Sequence, residues 1–570
     1  MVIASPTRSA DPTPARTDRT SRSRRTLQIL VLLVPALAIL VGGWRHHWMN
    51  EDAFINLRIV DQIFAGHGPV FNAGERVEAY TSPLWLGVLV GVRATLGQVL
   101  RMEWASVVAS LAFSTAAFAV AAAAARRLHD RREFVVPLGI GVIAAVPVVW
   151  DFATAGLETG LTWLWLAGSW LALVHAARAA RPPEGRVRWA SLIVLGLGPL
   201  VRPDLGLISL CVVAAFLVIV RPPARRLPVD VGIAFALPLL YQVFRMGYFA
   251  ALVPSTALAK DAGGIHVGQG WDYLVDLFTP YRLWIPMLVV VAVVARNVVR
   301  GTSAVRVACA GMVGGALLHG AYITVVGGDY MHGRLLLPAL FALVLPASLG
   351  IGPDRFRGFA IGGVAIVAIW AVVCAGWLRF DQTPATRLGV TPIADWRIVL
   401  KSQVVHDEQS NPVILTGEQV HRLWEDGQRG FVPLSARQPV PGKLPDKLVV
   451  VFGSIGVPAY HAGADVWVVD IGGLAEPIAS RTDVTPGAPA GHRKQVAAGW
   501  YAARFAEHPH SPKARAALRA LRCGELAELM DAIEGPVTPS GFLGNVFKSV
   551  GFTRLHIPRD PREAEAKFCS

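Results

Sequence analysis

The chain has 570 residues, 53% of them hydrophobic and only 16% charged, with a mean hydropathy of +0.46. That composition excludes a soluble globule of ordinary make-up and points to a polytopic membrane protein. The net charge of +14, from 54 Lys and Arg against 40 Asp and Glu, does not argue for nucleic acid, because the basic residues cluster in short segments between apolar runs.

Residues 1–26 read as a disordered basic cytoplasmic tail, since the first 25 hold six Arg against two Asp among many Ser, Thr and Pro. The run from Leu27 to Gly43 lacks a small-residue cleavage site and the chain stays apolar beyond it, which predicts a retained signal-anchor. Apolar runs at 27–43, 104–125, 134–150, 161–178, 189–201, 205–220, 229–247, 284–296, 304–326, 335–351 and 359–378 predict about eleven transmembrane helices. The run from Pro83 to Val99 contains Arg93 and Gln98 and is read as re-entrant or interfacial. With that choice the basic loops at 126–132, 178–188, 221–226, 296–306 and 354–357 all share the side of the basic tail, as the positive-inside rule requires.

Residues 27–378 thus form the membrane domain. From 379 to 570 the composition becomes that of a soluble α/β domain, with β-like runs "KLVVVFG" (447–453) and "DVWVVDIGG" (465–473). The expected localisation is the plasma membrane, multi-pass, with the N-terminus cytoplasmic and the C-terminal domain extracytoplasmic. Cys211, Cys309 and Cys374 lie in apolar runs and read as small buried hydrophobes, whereas Cys523 and Cys569 could pair in an oxidising exterior. The glycine pairs Gly139/Gly141 and Gly196/Gly198 read as helix packing, and no phosphate-cradling nucleotide motif is present.

The loops left on the outer side gather the carboxylates and cations. In "NEDAFINLR", Glu51 and Asp52 stand before a helix predicted over Phe54–Ala65 and ended by Gly66. Asp52 could simply cap that helix, but a second carboxylate beside it invites a chemical role: a partly desolvated carboxylate at a bundle mouth can take a proton from an attacking hydroxyl. In "GGDYMHGR" (327–334), Asp329, His332 and Arg334 are interleaved with glycines that permit close backbone approach, an arrangement that interfacial snorkelling does not explain and a phosphate would need. Lys260 lies in another outer loop, Arg202 and Asp204 in "RPD", and Glu158 in "GLETG", where capping or mutual pairing is the plain alternative to binding. Trp467, Trp500, Tyr460 and Tyr501 in the C-terminal domain could face a polysaccharide or could be core.

The ordered set "EDAFI…GHGPVFNAGERVEAYTSPLW", "GLETG", "RPD", "PSTALAK", "GGDYMHGRLLLP" and "VVDIGGLAEPIASR…GHRK" resembles the actinobacterial membrane arabinofuranosyltransferases that add terminal sugars to cell-wall arabinan, within the wider GT-C class. The resemblance runs from about Trp44 to the C-terminus. Two departures stand out: the family's first aspartate is Glu51 here, which leaves it as partner, substitute base or neutral neighbour of Asp52, and its Gly-His-Glu-Lys element is "GHRK" (491–494). The resemblance implies a GT-C-like fold, a polyprenyl-phosphate donor such as decaprenyl-phosphoryl-arabinofuranose, and an arabinan acceptor. The site so expected has Asp52 and Glu51 as catalytic carboxylates, with Arg58, Glu78, Thr81, Glu158, Arg202, Asp204, Lys260, Asp329, His332 and Arg334 binding substrate. Neighbouring carboxylates could bind a divalent cation, yet no ligand set is legible, so no metal is assigned. A transferase of another polyprenyl-phosphate sugar such as mannose, or a lipid or sugar transporter, are the competing readings. A transporter would place its polar groups near the bilayer midplane rather than at one surface.

Overall fold

A computed structural model describes residues 15–97, 99–130, 132–352, 357–380, 393–398, 437–440, 444–485, 491, 493–505 and 510–570. Among them, seven helices are long and apolar enough to cross a membrane: Ser23–Arg45, Met102–Leu128, Thr159–Arg178, Pro203–Val220, Ala224–Phe249, Ser303–Val325 and Arg357–Gly376. The polytopic helical class stands, but four of the eleven expected spans take other forms. The 134–150 run divides into strand β1 (Phe134–Val136) and two short helices, Leu138–Ala144 and Pro147–Phe152, because Pro137 and Pro147 each remove a backbone donor. The 335–351 run divides likewise into Leu337–Val344 and strand β2 (Leu349–Ile351), which pairs antiparallel with β1. The 189–201 run becomes Gly185–Gly196 and Gly198–Val201, and 284–296 becomes the 17-residue helix Trp284–Arg300.

The first helix runs Ala15–Arg45, and residues 1–14 of the expected N-terminal tail lie outside the described residues. The segment after Ser82 is a 14-residue helix, Pro83–Leu96, begun by the Ser82 side chain accepting from the Trp85 amide. At 1.5 Å per residue it reaches only about 21 Å, short of a bilayer core.

Small residues set the helix packing. Met102–Leu128 lies along Thr159–Arg178 so closely that a Cβ on Gly160 would fall 2.4 Å from the Ser110 carbonyl oxygen. Gly139 and Gly196 similarly abut the Val344 and Ala234 carbonyls, and Gly198 abuts Ser209, so these glycines serve packing.

Beyond the membrane helices, strands β3 (Arg437–Val440), β4 (Leu444–Phe452) and β5 (Trp467–Asp470) form a sheet in which β3 and β4 are antiparallel and β4 and β5 parallel. The short helix Gly456–Ala462 makes the crossover from β4 to β5. Five more helices follow: Ala498–Phe505, Pro512–Ala520, Gly524–Glu534, Pro539–Arg554 and Pro561–Phe568. Cys523 and Cys569 form a disulfide with Cα atoms 5.1 Å apart, while Cys309 and Cys374 are buried and unpaired. Trp467 and Trp500 are buried, Trp500 donating to the Arg559 carbonyl, and Tyr460 and Tyr501 pack against apolar clusters, so these aromatics are core.

The loop after the first span is built into this C-terminal part. Arg76 donates to the Ala532 and Gly535 carbonyls, and the Arg76 amide to Ile533. Arg58 reaches the carbonyls of Ala459, Gly463 and Val466.

Candidate active site

The helix carrying the two carboxylates runs Glu51–Phe64, with Gly66 in the left-handed conformation just past its end. Its N-cap is Asn50, whose side chain accepts from the Asp52 amide at 2.8 Å. Asp52 is therefore spared the capping role and turns towards a cluster of cations. Asp52 Oδ2 lies 3.1 Å from Arg334 Nη1 and 4.0 Å from Lys260 Nζ, and the Tyr330 hydroxyl approaches both carboxylate oxygens at 3.5 Å.

Arg334 is the hub. It also stands 3.7 Å from Asp329 and 4.0 Å from Glu158, and Glu158 is 3.7 Å from Arg202. Burial opposes its charge, but Asp329, Glu158 and Asp52 outweigh burial and hold the guanidinium firmly protonated. Burial, then Asp52, pushes the Tyr330 phenol well above its ordinary range, so it stays a donor towards the carboxylate. The glycines of "GGDYMHGR" make this possible: Gly327 and Gly328 have φ of 93° and 69°, and a Cβ on Gly328 would lie 2.4 Å from the Tyr273 ring.

Two adjoining cavities meet at this cluster. The larger, about 150 Å³, holds Arg202, Lys260, Arg334 and Arg493 against Glu158, Asp204 and Asp329, with an apolar wall that includes Tyr322, Ile323, Val326 and Leu335. The smaller, about 40 Å³, is faced by Asp52 and Asn56. Thr81, Glu158, Thr256, Lys260 and Arg334 line both. Arg202 grips Asp204 through two 3.0 Å hydrogen bonds, and Asp204 also meets His319 at 2.6 Å. Asp329 Oδ2, Arg334 Nε and Arg493 Nη1 are buried without a hydrogen-bond partner among the described residues, and so keep hydrogen-bonding capacity at this cluster.

The structure therefore brings together Asp52, Thr81, Glu158, Arg202, Asp204, Lys260, Asp329 and Arg334, and sets four expected residues apart. Glu51 turns away from both cavities and accepts from the Gly456 amide at the start of the crossover helix. Burial, then the charge of Asp52, raises its carboxyl to about 7. Arg58 is buried among backbone carbonyls, including Phe71 at 2.8 Å, with its donors committed to structure. Glu78 is clamped by Arg245 at 2.5 Å and Tyr241 at 2.6 Å. His332 bonds Asp276 at 2.6 Å and the Tyr281 hydroxyl at 3.1 Å, and stacks on Phe380.

Sequence reading missed Tyr330, Thr256 and Arg493. Tyr330 sits inside a quoted motif, Thr256 inside "PSTALAK", and Arg493 inside "GHRK", so the only available signal was adjacency to recognised motifs. As for a divalent cation, Glu51 and Asp52 point to different partners, and Arg334 and Lys260 already face Asp52; the residues present do not fit such an ion. Among the described residues no group of three or more His, Cys, Asp or Glu is placed to hold one.

A model of the AftB family C-terminal domain matches residues 403–567. A terminal β-(1→2)-arabinofuranosyltransferase of Mycobacterium tuberculosis is 32% identical over 94% of this chain and 96% of its own length. A protein of the same name from Corynebacterium glutamicum is 30% identical over 95% of this chain and 87% of its own. No solved structure matches. Similarity that spans both the membrane helices bearing the cavity and the domain that supplies Arg493 has one reading: the chain belongs to the AftB family of membrane glycosyltransferases.

Proposed function

We propose that this enzyme transfers an arabinofuranosyl residue from decaprenyl-phosphoryl-arabinofuranose to a cell-wall arabinan acceptor on the outer face of the plasma membrane. The names of its relatives supply the sugar, and the resemblance of its motifs supplies the acceptor class. The observation that carries the reading is the division of the site: Asp52 faces one cavity, an apolar wall lines the other, and Arg334 and Lys260 border both.

A sugar on a polyprenyl phosphate is already activated, so the enzyme must orient a hydroxyl, accept its proton and stabilise the departing phosphate. The acceptor oxygen bonds to the anomeric carbon as the bond from that carbon to the phosphate oxygen breaks. The electron pair leaves with the phosphate, and the hydroxyl proton passes to Asp52. The phosphate gains one negative charge, which Arg334 and Lys260 are placed to meet, with Arg202 and Arg493 further along the larger cavity. The apolar wall then receives the first isoprene units. The outer-face placement is supported by Arg126, Arg127, Arg178 and Arg221, which cluster at helix ends remote from the cavity.

The test is transfer by purified protein in lipid, with arabinofuranosyl and mannosyl polyprenyl phosphates offered side by side to an arabinan oligosaccharide. Product from the mannosyl donor alone would replace the sugar assignment, and donor translocation without product would favour a transporter.

A further inference from the structure

The helix Pro539–Arg554 of the C-terminal domain has two unlike faces. Phe552 and Ser549 are buried, and Phe542 and Asn545 turn inward onto the end of the membrane helix Leu227–Phe249. Phe542 stacks over Gly247, leaving no room for a Cβ there, and Asn545 donates to the Gly247 carbonyl at 3.0 Å. Farther along, Thr553 accepts from the Leu252 amide at 2.8 Å. The opposite face carries Leu543, Phe547 and Val550, spaced four and three residues apart on one stripe and 59%, 82% and 40% exposed. Lys548, on the flank, is drawn aside to Glu528 at 2.8 Å. An extramembrane domain facing water would place polar residues on that stripe.

What covers the stripe is indicated by its neighbour. Leu239, Leu240 and Val243 of the adjoining membrane helix are exposed, as lipid-facing residues must be, so the helix Pro539–Arg554 packs on the end of a span whose own apolar residues are open to lipid. A second helix repeats the arrangement. Val267–Phe278 packs Gly270 against the Thr324 carbonyl at the end of Ser303–Val325 and exposes Val267, Trp271 and Val275, four residues apart. Trp44, Trp284 and Trp377, also exposed, stand where other apolar helices enter the cavity layer, as a membrane-interface aromatic belt does.

We propose that the helix Pro539–Arg554 is seated in the bilayer interface beside the Leu227–Phe249 span, with Leu543, Phe547 and Val550 among the lipid acyl chains. The C-terminal domain is then held to the membrane by lipid as well as by its own chain, which fixes the height of Gly491 and Arg493 at the cavity. The proposal does not rest on the donor or the acceptor, because its partner is the lipid surface itself.

The test uses full-length protein in lipid nanodiscs, with Phe547→Cys carrying an environment-sensitive nitrobenzoxadiazole probe and Lys513→Cys, at an exposed side chain of the helix Pro512–Ala520, as the water-facing control. Nitroxide-labelled phospholipid is expected to quench the probe at 547 at least threefold more than at 513, with aqueous iodide showing the reverse order. Iodide quenching at 547 equal to that at 513 overturns the proposal. Protection from both quenchers overturns it too, in favour of a second copy of the chain covering the stripe.

Discussion

Arg334 and Asp52 are 282 positions apart in the chain and 3.1 Å apart in space. The contact joins a cation of the 327–334 loop to a carboxylate in the first turn of the helix Glu51–Phe64. Because the buried cation has three acidic neighbours, its removal costs more than one interaction.

Arg334→Met should leave Asp52, Glu158 and Asp329 facing one another without their shared cation. The expected destabilisation is about 3–5 kcal/mol, read as lowered thermal stability in detergent. Arg334→Lys should recover much of that stability but little transferase activity, since a point charge cannot serve several carboxylates and a phosphate in a fork geometry. Equal activity for Lys and Arg at this position would remove its phosphate role.

Asp52→Asn should keep the fold, because Asn50 and not Asp52 caps the helix, and should lower turnover by about 10²- to 10⁴-fold. The comparison to make is initial rate at saturating acceptor against melting temperature for the same preparation. Near-wild-type turnover would exclude Asp52 as the base.

Glu51→Gln should behave oppositely. Burial raises the Glu51 carboxyl from its ordinary 4.5 to about 7, so the folded state binds a proton more readily than the unfolded one. Its favourable contribution is then fully present below about 4.5 and is lost as pH rises through about 7. Gln keeps an acceptor for the Gly456 amide without the charge. The variant should therefore show a flatter stability profile across that interval, equal or higher stability at pH 8, and activity within a few-fold of the parent. A collapse of activity with stability intact would restore Glu51 to the catalytic pair.

Arg58→Met should unfold the junction rather than weaken substrate binding, costing about 3 kcal/mol or more as several carbonyls lose their donor. Any protein that survives should have an unchanged KM for acceptor. A raised KM at normal stability would return Arg58 to the binding site.

Reduction of the Cys523–Cys569 disulfide, or Cys523→Ser with Cys569→Ser, reopens a loop of 46 positions. Loss of about 2–4 kcal/mol is expected, confined to the C-terminal helices and measurable as faster hydrogen exchange there.

The membrane class, the carboxylate helix with its glycine stop, and the convergence of the charged loops were legible in the sequence. Charge is costly in an apolar chain, so its clustering carries information. The span count was less legible, because Pro137, Pro147 and Pro346 break apolar runs that hydropathy alone counts as continuous. Arg58 and Glu78 show the other limit. Both lie in the same outer segment as Asp52, but a buried Arg satisfied by carbonyls four hundred residues away reads in one dimension like a ligand-binding one. The Glu78 partner, Arg245, lies inside a membrane helix, where no motif pointed to it.

The dependence of Arg58 on Ala459, Gly463 and Val466 has a consequence for biogenesis. During translation the loop bearing Asp52 emerges hundreds of residues before those acceptors, so its guanidinium must stay hydrated until the crossover helix arrives. A nascent chain halted before residue 456 can insert its helices but cannot bring Leu474 to the smaller cavity or Arg493 to the larger, and a truncated product would present quality-control proteases with an open, wet loop.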